Sequence, residues 1–224
     1  MTRILIADDH PLFRVALAQA LRGVVADATI LEAGSLDEAR HVLATQPDVD
    51  LVLLDLHMPG SHGLMGLAAL RTEYPAVAVV MISANDDAAV VRRALAYGAA
   101  GFIGKRVDLD ELARALRSVL DCEDYVPESL RREVEARPLA RDDRELAEKL
   151  ASLTPQQFRV LERVAEGRLN KQIADDLGVQ ERTIKAHLTT IFVKLGVRNR
   201  TQAGILLRSL ELGDPAQHRL PDAV

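Results

Sequence analysis

At 224 residues, 48% of them hydrophobic, the chain can bury one large core or two modest ones, and its composition is that of an ordinary soluble protein. A single cysteine, Cys122, excludes an intramolecular disulfide framework and a Cys-based zinc site, and no apolar run reaches membrane length. The net charge of −5 is uneven. The first 120 residues and the stretch 121–152 are acidic and the remainder is basic, so only the C-terminal part favours a polyanion. The N-terminus enters a strand directly, with no signal region, and the expected location is the cytoplasm.

The chain opens on a short strand at residues 3–7. Asp8-Asp9-His10-Pro11 follows, then an amphipathic helix over 12–24 whose Leu12, Val15, Ala16 and Leu21 spacing predicts one buried face. Residues 29–33 form a second strand, and Ser35 with Glu38 three positions later predicts a capping box that opens a helix to residue 46. The stretch LVLLDLHMPG, residues 51–60, is too short and apolar for a helix. It reads as a buried parallel strand over 51–54 that delivers Asp55 at its mouth and stops at Pro59-Gly60. A helix at 64–74, a strand at 77–82, a helix at 87–97, a strand at 101–103 and a helix at 108–120 complete five β-α units. Right-handed crossovers then give an α/β domain over residues 1–120, a flavodoxin-like doubly wound sheet of five parallel strands covered on both faces. Cys122, late in the last of these helices, is expected to be inert.

The carboxyl ends of these strands carry Asp8 and Asp9, then Asp55, then Ser83, then Lys105, all on one rim. With strand order 2-1-3-4-5 the first and third strands are neighbours and their three carboxylates converge. Clustered carboxylates repel unless a hard cation sits among them, and Mg²⁺ suits a few carboxylates plus waters. A hydroxyl and an ammonium beside them can hold an anionic group, so the set points to phosphoryl chemistry with Asp55 as nucleophile. Taken singly, each residue has a plainer role, as helix cap, turn hydroxyl or solvated charge. A dinucleotide site is disfavoured because Asp-Asp-His-Pro follows the first strand where glycines are needed.

The segments ILIADDHPLFR, LVLLDLHMPG, VVMISA and GAAGFIGK resemble the receiver domain of two-component response regulators. That resemblance implies that Asp55 accepts a phosphoryl group from a sensor histidine kinase. It implies that Asp9, Asp55 and the backbone carbonyl of His57 ligate Mg²⁺, with Asp8 assisting through water. Lys105 would pair with the phosphoryl oxygens, Ser83 would hydrogen-bond one of them, and Phe102 would be the aromatic switch, its plainer role being a core aromatic. His57 and Asn85 fall where the family modulates dephosphorylation. His10, His41 and His62 read as surface or capping residues.

Residues 121–152 change character, with Pro127, Pro138 and many charges of both signs. They read as a linker, mobile at its centre, with one helical stretch near 143–151. A compact all-α unit of four helices follows over residues 153–212, at 155–166, 171–177, 181–195 and 201–210, and a tail over 213–224. Thr154 is the expected cap of the first, with Pro155 at its first position and Gln157 closing a capping box. Asn170 is the expected cap of the second, and Gly178 ends it in a tight turn with the spacing of a helix-turn-helix. The third helix offers Ile184, Leu188, Ile191 and Leu195 to a core and leaves Lys185, Ala186 and Thr189 facing outward near its N-terminus, the end that enters a major groove. Four short helices also suit a protein-binding bundle.

Residues 153–203, from LTPQQFRVLERV to RNRTQA, resemble the LuxR-type helix-turn-helix, whose pairing with a receiver is the pattern of the NarL/FixJ response regulators. By resemblance Lys185, Ala186 and Thr189 face bases, while Lys171, Thr183, His187, Lys194, Arg198 and Arg200 lie near phosphates. Gln180 stands where the family usually has a Ser or Thr cap, and Thr189 where some members carry a second lysine. The combined expectation is a phosphorylation-dependent, DNA-binding transcription regulator. It would be monomeric with its two domains docked when unphosphorylated, a homodimer on double-stranded DNA when phosphorylated, and no enzyme beyond self-catalysed transfer to Asp55. The rival is a Mg²⁺-dependent phosphatase with an aspartyl nucleophile. Such enzymes place a general-acid Asp two residues on, where this chain has His57.

Overall fold

The protein is described by a computed structural model covering residues 2–61 and 63–210. His62, the last residues of the expected all-α unit and the 213–224 tail lie outside the described residues.

The first part alternates β1 (Arg3–Ala7), α1 (Pro11–Val24), β2 (Thr29–Ala33), α2 (Leu36–Thr45), β3 (Leu51–Asp55), α3 (Leu64–Glu73), β4 (Ala78–Ser83), α4 (Ala88–Ala96), β5 (Gly101–Gly104) and α5 (Leu109–Leu120). All pairings are parallel and the order is β2-β1-β3-β4-β5, the expected doubly wound sheet. The period-2 pattern places alternate residues on opposite faces. Ile4, Ile6, Leu51, Leu53, Ile82 and Ile103 pack with Leu17, Leu21, Leu112 and Leu116 of α1 and α5. Leu5, Ala7, Val52, Leu54, Met81 and Phe102 pack on the other side, with Leu36, Leu64 and Val91 of α2, α3 and α4. β3 is central and buried at every position.

Local signals set the helix starts. The Ser35 hydroxyl accepts from Glu38 N–H at 3.2 Å, and the Glu38 carboxylate reaches past the cap to Gly34 N–H at 2.7 Å. Asp87 and Asp108 cap α4 and α5 through their side chains. In α1 the buried face is Leu17, Ala18 and Leu21, whereas Leu12 is 87% and Val15 61% exposed. The first turn of that helix stands at the sheet's rim, where the strands no longer offer apolar surface. Cys122 lies beyond α5, exposed and in the left-handed region at φ +63°, not within the helix.

The stretch between the two expected domains is more ordered than its composition predicts. Tyr125 bridges to Gly101 alongside β5, donating its N–H to Ala100 O (3.0 Å) and accepting from Phe102 N–H (3.0 Å). Two helices follow, α6 (Glu128–Ala136) and α7 (Arg141–Ala151), where only the second was expected. Val134, Leu146 and Leu150 are buried against the α3 and α4 side of the sheet domain. Ion pairs tie α7 to α4 through Asp143–Arg93 (3.0 Å) and the end of α6 to the cap of α4 through Arg137–Asp87 (3.6 Å).

The last part comprises α8 (Pro155–Ala165), α9 (Asn170–Asp176), α10 (Glu181–Leu195) and α11 (Arg200–Arg208). The Thr154–Gln157 capping box forms as expected. At α9 the cap is Leu169, whose N–H is taken by Gln172 Oε1 at 2.8 Å, and Asn170 is already the first helical residue. Gly178, at φ +64°, ends α9 in a conformation that a side chain would strain. Ile184, Leu188, Ile191 and Leu195 form the buried stripe of α10. The two parts are docked. Arg40 of α2 pairs with Glu73 of α3 (2.9 Å) and Glu162 of α8 (2.8 Å), and Arg159 of α8 pairs with Glu73 (2.9 Å). Leu64 N–H donates to Leu210 O (3.2 Å), and Arg93 donates to Ser209 O (2.5 Å).

Candidate phosphoryl site and nucleic-acid interface

The β1–β3 pairing, Ala7 opposite Leu54, brings Asp8, Asp9 and Asp55 to one rim. Asp8 and Asp55 are 2% exposed, and Asp9 is partly open. Lys105, one residue past β5, reaches both buried acids, Nζ lying 2.6 Å from Asp8 Oδ2 and 3.1 Å from Asp55 Oδ1. Its position follows from the sheet, since Lys105 N–H donates to Ser83 O at 2.8 Å. Ser83 is itself buried, its hydroxyl accepting from Asn85 N–H at 3.0 Å. Phe102 is wholly buried among Met81, Val91 and their neighbours on the α4 side.

Burial raises the Asp55 carboxyl above its ordinary range, Lys105 opposes this, and Asp8 adds to it. Lys105 is held above its ordinary value, because its bonds and charge pairs with Asp8 and Asp55 outweigh the burial that lowers it. The rim therefore contains buried negative charge that one ammonium does not fully satisfy. Asp55 Oδ2 is buried with no hydrogen-bond partner, and ligand atoms of Asp8, Asp9, His10 and Asp55 lie within 4.8 Å of one another. The three carboxylates of that set fit a hard divalent cation.

Arg14, which had no expected role, and His10, expected as a surface or capping residue, shape this rim. Arg14 donates to Asp8 O (2.6 Å) and pairs with Glu32 (3.2 Å), fastening the turn that carries the acids. His10 caps the start of α1, and its Nδ1 lies 2.7 Å from Asp9 Oδ1 and 3.2 Å from Asp8 Oδ1. The only sequence signal for Arg14 was its place one turn past Pro11. His41 is exposed, as expected.

On α10, Lys185, Ala186 and Thr189 are exposed, and Thr183 and His187 are half-buried beside them. Lys185 pairs with Glu181 one turn earlier (2.8 Å), which holds the Glu181 carboxyl below its usual range. Lys171 and Arg198 are exposed. Lys194 and Arg200 sit differently from the expected phosphate-facing pose. Lys194 Nζ donates to Ser152 O (2.6 Å) and Gln157 Oε1 (2.9 Å), and Arg200 donates to Val164 O (3.3 Å) and Arg168 O. Both fasten loops of the last domain. Gln180 makes no side-chain cap bond, in keeping with its departure from Ser or Thr.

Comparison with known proteins agrees with this geometry. Residues 4–117 match the response regulator receiver domain, and residues 151–207 match the luxR family of bacterial regulatory proteins. A glycerol metabolism activator of Pseudomonas putida is 42% identical over 207 residues, covering 91% of this chain and 93% of that protein. The nitrate/nitrite response regulator NarP of Escherichia coli is 33% identical over 91% of this chain and 93% of its own length. Among solved structures, a LuxR family DNA-binding response regulator from Silicibacter pomeroyi has a TM-score of 0.52 and 33% identity, covering 58% of this chain and 99% of that one. RcsB of Salmonella typhimurium shares the fold, with a TM-score of 0.56 at 24% identity, covering 93% of this chain and 96% of that one.

The chain belongs to the two-component response regulators that join a receiver to a LuxR-type DNA-binding domain. It is a transcription regulator whose receiver implies a sensor histidine kinase as one partner and whose second domain implies double-stranded DNA as the other. The assignment favours a regulator over the phosphatase alternative. No helix among the described residues is long and apolar enough to cross a membrane.

Proposed function

We propose that Asp55 is the phosphoacceptor, and that its phosphorylation controls dimerisation and DNA binding. The observation that carries this is the buried Asp55 carboxylate, one oxygen unpartnered and the other held by Lys105, in a rim with Asp8 and Asp9. Asp9, Asp55 and the His57 carbonyl would hold Mg²⁺, with Asp8 acting through water. A cation held there would supply positive charge against the phosphoryl oxygens. The rest falls to side chains of the chain. An Asp55 oxygen attacks phosphorus as the bond to the donor's leaving group breaks, and Lys105 follows the transferred charge. The Ser83 hydroxyl, which now accepts from Asn85, turns its proton to a phosphoryl oxygen and releases that loop. Phe102 repacks in the space this leaves. His57 and Asn85 stand where they can tune the lifetime of the acyl phosphate. The protein turns over no other substrate.

On the DNA side, Lys185, Ala186 and Thr189 read bases, and Lys171, Thr183, His187 and Arg198 meet phosphates. Lys194 and Arg200 join them where they release the carbonyls they now hold. The docked arrangement leaves the three base-reading side chains open to water. Control through pairing two copies on two half-sites therefore fits better than control by burying those side chains. A regulator with these two partners works in the cytoplasm. The test is labelling with a small acyl-phosphate donor and Mg²⁺, followed by retention on DNA. Label should enter the wild type at Asp55 and tighten DNA binding, and label found elsewhere would refute the assignment.

A further inference from the structure

Lys105 makes one contact that neither its ion pairs nor its assigned role requires. Its ammonium lies over the ring of Phe13, 4.7 Å from the centroid. Phe13 is in the first turn of α1, half-buried, on a cleft of about 170 Å³ that Leu17, Ile82, Ile103, Lys105 and Leu112 also line. The Lys105 stem thus lies along apolar surface and its head sits at the mouth. The Lys105 side chain is only 16% exposed, so water screens this contact weakly.

We propose that Phe13 is a positioning residue for phosphoryl transfer, its ring face holding the Lys105 ammonium at the rim between Asp8 and Asp55. The proposal rests on Asp55 being the phosphoacceptor. Asp8 and Asp55 draw the ammonium inward, toward the space a divalent cation needs. The ring face of Phe13 on α1 attracts it as well, through the negative potential above the ring. Asp8 at 2.6 Å, Asp55 at 3.1 Å and the ring at 4.7 Å then share the head. The ammonium bonds both acids with the ring in place, and the ring gives it a third partner that is not a carboxylate. Without the ring its charge falls wholly to the acids, so it leaves them less readily for a phosphoryl group and competes more strongly with the cation.

A plain packing role for Phe13, covering the seam between α1 and α5, is separated by substitutions that keep shape and change only the ring's charge distribution. Full-length protein carrying 4-fluoro- or 3,4,5-trifluorophenylalanine at position 13 is compared with Phe13→Tyr and Phe13→Leu. The readouts are the rate of Asp55 labelling by a small acyl phosphate, the Mg²⁺ titration, and the NMR shift of the Lys105 ε-methylene. The wild-type ε-methylene should be shifted upfield by the ring current. Labelling should slow stepwise with fluorination, reaching about three- to tenfold in the trifluoro and Leu forms, while Tyr stays within about twofold. Mg²⁺ binding should weaken in the same order. Fluorinated forms that label at the wild-type rate while Leu is slow would reduce Phe13 to packing and overturn the proposal. An unshifted ε-methylene would also overturn it. A wild type that takes no label at Asp55 would refute the phosphoacceptor reading itself, an outcome distinct from label that ignores fluorination.

Discussion

The two charged surfaces of this protein are built in opposite ways. At the receiver rim, Asp8, Asp55 and Lys105 are withdrawn from water, each placed by the end of a different strand, and burial raises the Asp55 carboxyl while Lys105 opposes the rise. On α10, Lys185, Ala186 and Thr189 stand in water on one helix face, and the ion pair of Lys185 is with its own neighbour Glu181. Chemistry on a phosphoryl group needs desolvated, preorganised charge, because that is where one charge acts strongly on another. The bonds these side chains make are local to the helix, Lys185 to Glu181 and the Thr189 hydroxyl to Lys185 O, and both lie in water. The base-reading role proposed for them needs side chains that can leave water for a groove. A third set of charges, Arg40, Glu73, Glu162 and Arg159, resembles the rim in being mostly buried, yet it serves docking.

The sharpest break of this contrast is Asp55→Asn. Labelling should be abolished, because the nucleophile is gone while shape remains. Stability should respond too. Burial raises the folded Asp55 pKa above its unfolded value, so its ionisation costs stability once pH rises through the folded pKa. The Asn variant should therefore unfold at a higher temperature than wild type at pH 7, and the gap should close as pH falls to the ordinary carboxylate range. A gap that widens in acid would refute that reading of the rim.

Next in size is Arg40→Ala. Arg40 is raised above its ordinary pKa, burial lowering it but Glu162 and Glu73 outweighing that, and its removal leaves both carboxylates buried without it. Breaking such a pair costs about 3–5 kcal/mol where the remaining charge stays buried. The domains should come apart instead, which hydrogen exchange at α3 and α8 and small-angle scattering would detect. Unchanged protection would mean that apolar contact alone holds the dock.

Lys185→Ala should cost about 1–3 kcal/mol on a cognate duplex and little on scrambled DNA, since it removes discrimination as well as attraction. Its Glu181 pair is exposed and contributes little to folding. Lys194→Ala should have the smallest effect, about 1 kcal/mol of domain stability from the lost bonds to Ser152 and Gln157. If Lys194 instead releases those groups to reach phosphate, the variant should weaken both duplexes equally and flatten the salt dependence by about one unit. Isotherms at several salt concentrations separate the two.

Whatever depends on a few neighbouring residues was readable from the sequence. Short apolar runs marked β1, β3 and β4, Ser35 and Thr154 announced helix starts, and Gly178 announced a stop, because caps and short runs act over a few neighbouring residues. The convergence of Asp8, Asp9, Asp55, Ser83 and Lys105 was readable as well, since parallel β-α units put every strand's carboxyl end on one rim. Contacts between distant segments had no such signal. The helix near 143–151 was readable, but α6 and the docking of Val134, Leu146 and Leu150 were not, because they depend on α3 and α4 offering a surface that local composition does not record. Leu12 and Val15 had helical spacing but no neighbour at the rim. Lys194 was an exposed charge by pattern, until the start of the α8 unit brought two oxygens to it. Arg40 and Glu162 are 122 positions apart in the chain. Only the packing of α8 on α3 makes them a buried pair, because charge acts through distance in space and the sequence records distance along the chain.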